Sequence, residues 1–247
     1  MTMATTMATT TRMDTSTAAE AGARQETLRA AAQLALLHLA SPALPVGAYS
    51  YSQGLESAIE LGIAPDAAAV GRWIGDALTH VVGRFEAPVW LRLFAASKTG
   101  DLAAAQAWNA EFIATRETAE LRAETVQMGY SLVELMRTLG HASPWTSAEV
   151  SYPAAHAWAC TLWEVDAGDG LLAYLFAWVE NQVMAALKAV PLGQVAGQKL
   201  LLGLRPRIVA VAARAAQLGD DELSTQAPQY AIVCARHETQ YSRLFRS

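Results

Sequence analysis

A chain of 247 residues is long enough to bury a sizeable core in one large domain or two small ones. With 53% hydrophobic and 17% charged residues it is globular and rather apolar, which excludes a wholly disordered chain. A formal charge of −5 and a pI near 5.5 exclude a global attraction to nucleic acid or to an anionic membrane. Alanine and leucine dominate and β-branched residues are scattered, so helix is the expected secondary structure.

In chain order, residues 1–24 are rich in Thr and Ala and lack an apolar run behind a basic start. They are expected to be a disordered tail and not a secretory signal. From Thr27, Leu28, Ala32, Ala35, Leu36 and Leu39 fall at helical spacing, and Pro42 ends the run. The stretch "SPALPVGAYSYSQGLE", residues 41–56, interrupts the helical composition with two prolines, two glycines, three serines and two tyrosines. A short helix then closes at Gly62. Asp66 caps the next, in which Pro88 is expected to break or kink the pattern.

Asp101 caps a further helix, and another runs from Arg116 to Leu139 and ends at Gly140. Pro153 suits the first turn of the following helix. "AGDG" at 167–170 is expected to separate it from the next, which Pro191 closes. A long helix with a kink at Pro206, a polar loop at 220–229 and a final helix or ordered tail complete the chain. No window alternates as a strand does. The expectation is a single all-α, bundle-like domain over residues 25–247, with eight to ten helices and no fixed-period repeat.

Chemistry is sparse. Cys160 and Cys234 make no disulfide framework, and reduced thiols in a cytoplasmic protein are the simple reading. His156 and Cys160 share a helical face, but two donors are half a metal site, and a packed imidazole beside a buried thiol explains them as well. "GQVAGQK" at 193–199 lacks the spacing, the Ser/Thr and the preceding strand of a phosphate loop. No nucleophile elbow or acid–base pair is present, so no catalytic residue and no cofactor is expected. The most apolar run, residues 170–179, ends in Glu180-Asn181-Gln182, and no stretch is expected to cross a bilayer. The charged run Arg116, Glu117, Glu120, Arg122, Glu124 reads as a solvated helical face, with a partner-binding face as the alternative.

"LLHLASPALPVGAYSYSQGLESAIELG", "TRETAELRAETVQMGYSL", "WVENQVMAALKAVPLGQVAGQKLL" and "ARHETQYSRLFRS" occur in register from about residue 28 to the last residue. Together they resemble the signatures of the urease accessory protein UreF family. The resemblance implies an all-helical, homodimerising, non-enzymatic cytoplasmic protein. It further implies partners: UreD/UreH, the GTPase UreG and apo-urease, to which the assembly delivers nickel. A helical carrier that binds nickel directly, through His156 and Cys160, is the alternative.

Under this resemblance the 41–56 loop is expected to be a preorganised recognition surface. Pro45 limits the backbone, Gly47 and Gly54 permit turns, and Tyr49 and Tyr51 supply large contact area at small entropic cost. The competing reading is a sharp connection whose tyrosines pack on the core. Tyr49 and Arg243 match positions at the family's shared interface, and Lys188, near Gln194, matches a lysine of its regulatory surface. Lys188 also sits where a helix C-terminus favours a cation for purely local reasons. The tail residues His237, Glu238, Tyr241, Arg243, Leu244 and Phe245 are expected to offer interface anchors at a free chain end on which little of the core depends.

Overall fold

The computed structural model describes residues 14–146 and 149–247, which form ten α-helices and no strand among the described residues. The all-α expectation holds. α1 spans Asp14–Leu39. Residues 14–24, expected as disordered tail, are therefore helical, and residues 1–13 lie outside the described residues. The reason is local: alanine, glutamate and arginine favour helix by intrinsic propensity. The side chains from 22 to 31 are all exposed, and α1 meets the core through Ala32, Ala35, Leu36 and Leu39 in its last two turns.

α2, Leu55–Glu60, ends at Gly62 in the left-handed region as expected, with φ +72. α3, Ala67–Ala77, is capped by the Asp66 carboxylate, which accepts from Ala69 N–H at 2.9 Å. It runs without a break through a π-helical segment, Leu78–Glu86, into α4, Ala87–Thr99. Pro88 thus does not interrupt the rod but stands in the first turn of α4. Having no N–H, it leaves the Arg84 carbonyl without its i+4 partner. That oxygen accepts from Ser224 N–H at 3.2 Å instead, and the π register absorbs the mismatch.

α5, Leu102–Ala114, and α6, Ala119–Thr138, are capped by Asp101 and Thr118. α7, Tyr152–Leu162, carries Pro153 in its first turn and is buried from Pro153 to Cys160. Its alanines let α4, α6 and α8 close tightly around it, with Trp90, Leu93, Leu132, Trp158 and Leu175 filling the centre. α8, Ala167–Ala189, includes the "AGDG" expected as a spacer, so that sequence is a first helical turn and not a break. By length and composition α8 could cross a membrane, contrary to expectation; 56% of its apolar window is buried inside this fold, as for a core helix. α9, Gln194–Ala215, passes through Pro206 unbroken, and α10, Pro228–His237, leads into a non-helical tail.

Candidate partner-binding site

Loop 41–56 is held by residues at unusual dihedrals. Gly47 (φ +80), Gln53 (φ +51) and Gly54 (φ +78) all lie in the left-handed region. Gly54 is also irreplaceable by volume, because a Cβ there would stand 2.7 Å from Cys234 Sγ on α10. Gln53 is not a glycine and its strained backbone is retained by its side chain. Its amide nitrogen donates to Glu124 Oε1 at 2.6 Å, and its amide oxygen accepts from the Trp178 indole at 2.7 Å.

The tail is not free. Glu56, buried at the start of α2, accepts the backbone N–H of Leu244 at 2.7 Å and of Phe245 at 3.0 Å. The Ser247 carbonyl accepts from the backbone N–H of Ser52 at 2.8 Å and of Gln53 at 3.1 Å, and from Ser52 Oγ at 2.6 Å. Arg246 N–H donates to the Ser50 carbonyl, and Ser247 Oγ donates to Glu124 Oε2 at 2.6 Å. Phe245 is buried. Charge-assisted bonds of this kind are the stronger ones, so loop and tail are clasped together.

His237 pins the far end of the clasp. Its Nε2 lies 3.2 Å from Glu56 and its Nδ1 2.6 Å from Glu120, so the ring bridges the two carboxyl groups. Glu120 also accepts from Arg243 at 2.5 Å. Glu238 accepts from Ala119 N–H at 2.9 Å, satisfying the open N-terminus of α6.

The run read as a solvated face is therefore corrected in part. Glu124 is fully enclosed, and Arg116 packs against Glu86 at 3.4 Å and over the Phe112 ring at 4.0 Å. Burial pushes the Glu124 carboxyl up to about 7, and the Gln53 and Ser247 hydrogen bonds offset only part of that. Burial likewise raises Glu86, against the pull of Arg116 and the Tyr174 hydroxyl. These two carboxylates came into the core because distant donors meet them there.

The expected site residues divide by burial. Tyr51, Gly54, His237 and Phe245 are buried and hold the fold together. Gly47 is half-buried, while Pro45, Tyr49, Lys188, Gln194, Glu238, Tyr241, Arg243 and Leu244 are exposed. Three of the set converge from remote positions: Lys188 Nζ stands 5.7 Å from the Tyr49 ring and 5.5 Å from the Phe245 ring, and 3.4 Å from the Tyr49 carbonyl. Arg243 joins the clasp through Glu120, and Gln194 begins α9 apart from these contacts. Sequence reasoning missed Gln53, Glu56, Glu120, Glu124 and Ser247 as members of this site. The available signal was a glutamate, Glu56, among the apolar residues of "LESAIELG".

His156 and Cys160 lie in the core behind this site. His156 Nδ1 accepts from the Trp90 indole at 3.2 Å and stands 3.6 Å from the Cys160 sulfur. Burial lowers the imidazole to about 3 and raises the thiol to about 12, so both are neutral. Among the described residues no three His, Cys, Asp or Glu side chains group as metal ligands.

The UreF family model matches residues 65–205. The urease accessory protein UreF of Bordetella parapertussis is 53% identical over 220 residues, covering 85% of this chain and 100% of its own length. That of Dechloromonas aromatica is 52% identical over 219 residues, covering 86% of this chain and 96% of its own. The bifunctional urease accessory protein UreEF of Bordetella bronchiseptica is 52% identical over 240 residues; the match covers 94% of this chain but only 55% of that longer relative. With a family model over more than half its length and relatives spanned almost end to end, this chain belongs to the UreF family of urease accessory proteins.

Proposed function

We propose that this protein is a non-enzymatic assembly chaperone of urease. It works as a cytoplasmic homodimer that bridges UreD/UreH and the GTPase UreG and regulates nickel insertion into apo-urease. The observation that carries this reading is the clasp itself. Hydrogen bonds join a loop and a tail into one rim, beside which Tyr49, Lys188, Tyr241, Arg243 and Leu244 are exposed. Fixing aromatic and arginine anchors before binding removes much of the ordering cost of association. Membership of a family in which one relative is named a bifunctional urease accessory protein UreEF supports work within an assembly. Direct nickel carriage is the weaker reading, because His156 and Cys160 are sealed in the core and the thiol is held protonated.

The test is Tyr49→Ala and Arg243→Ala, made separately, with circular dichroism as the folding control. Each variant is expected to stay folded, since Tyr49 is exposed and the Arg243–Glu120 pair is partly exposed. Each is expected to lose more than ~2 kcal/mol of partner affinity, roughly thirtyfold, in pull-down of UreD/UreH and UreG, and to lose urease activation in cells. Folded variants that keep both partners and still activate urease refute the proposal.

A further inference from the structure

α9 buries one face, chiefly Leu201, Leu204, Ile208 and Val211, against α8 and the π-helical segment. A second apolar row lies about 140° further round the helix. Val195, Leu202 and Val209, each seven residues from the next, are 71%, 54% and 59% exposed. The same helical geometry places Lys199 along one edge of this row and Arg205 along the other. Both are exposed, and neither joins an ion pair among the described residues. The other two cations of α9 lie elsewhere on its surface and are committed, Arg207 to Asp76 at 3.2 Å and Arg214 to Glu222 at 3.3 Å. α9 contains no acidic residue.

We infer that this face of α9 docks an amphipathic helix of a partner protein whose apolar stripe is bordered by Asp and Glu. Charge decides between the possible occupants. Were a second copy to lay its own α9 antiparallel about Leu202, one edge of the seam would carry Lys199 of both copies and the other Arg205 of both, like beside like with no acid to offset either. An anionic bilayer suits the cations of α9, but the whole chain is −5, and removing the +4 of α9 leaves −9 to be repelled. A single acidic helix meets the apolar row and its two free cations without bringing the rest of the molecule close to a charged surface. This is the helix-in-groove mode, with anchors at seven-residue spacing.

The inference is independent of urease activation and is tested on the full chain with a synthetic probe. The probe is a fluorescein-labelled helical peptide of about 20 residues with a leucine stripe flanked by Glu, compared with a twin flanked by Lys. In fluorescence anisotropy the wild-type chain is expected to bind the Glu peptide at least about tenfold more tightly than the Lys peptide, the gap closing in roughly 0.5 M salt. Lys199→Glu combined with Arg205→Glu is expected to reverse the preference. Leu202→Asp, at an exposed position, is expected to weaken both peptides about tenfold with its circular dichroism unchanged. Equal affinity for the two peptides, or a preference unmoved by the charge reversal, overturns the inference. So does sedimentation showing a dimer that Leu202→Asp dissociates, which assigns the face to a second copy. Leu202-dependent binding to phosphatidylglycerol vesicles overturns it in favour of a membrane.

Discussion

The substitution Glu124→Gln tests the clasp from its centre. The carboxyl is held at about 7 in the fold against an ordinary 4.5, so protonation favours the folded state. Its contribution is fully present below about pH 4.5 and is lost as pH rises through about 7. Between about pH 5.5 and about pH 8.5 the wild-type chain therefore loses about 2 kcal/mol through this group alone. A glutamine side chain at this position would carry no charge to bury. Its amide oxygen accepts from Gln53, as Glu124 Oε1 does at 2.6 Å, and its amide nitrogen donates to the Ser247 hydroxyl, which rotates to accept. Urea unfolding of both proteins at the two pH values gives the comparison, with other titrating groups cancelling between them. The variant is expected to show the smaller loss by about 2 kcal/mol and to be the more stable protein at the higher pH. Equal losses in the two proteins would show that the buried carboxylate does not carry this pH dependence.

Two further pairs of substitutions separate clasp from surface. Gly54→Ala is expected to cost more than ~2 kcal/mol in thermal unfolding, since it combines left-handed backbone strain with a clash at the Cys234 sulfur. Gly47→Ala, at a similar dihedral but in open space, should cost only about 1 kcal/mol. Phe245→Ala should cost about 3 kcal/mol in urea unfolding, whereas its exposed neighbour Leu244→Ala should stay within about 0.5 kcal/mol. Equal effects at 244 and 245 would mean the tail does not dock as described.

The elements legible in the sequence are those decided within a turn or two of chain. Asp66 and Asp101 cap helices because each carboxylate reaches an N–H three residues on. Gly62 and Gly140 end helices because they accept the left-handed region without a Cβ penalty, and Pro153 fits a first turn where its missing N–H is no loss. The loop and tail were legible as unusual composition, and their set of aromatic and arginine residues could be named. What each of those residues does was not. Tyr51 and Phe245 look like the surface anchors Tyr49 and Leu244, and only the packed structure sorts them into buried and exposed. Glu124 reads as one charge in a solvated run, because the donors that make its burial tolerable come from Gln53 and from Ser247, 71 and 123 residues away. Sequence periodicity carries the short-range terms of helix formation. The satisfaction of a buried charge depends on which distant groups arrive beside it, and that is set only when the helices pack.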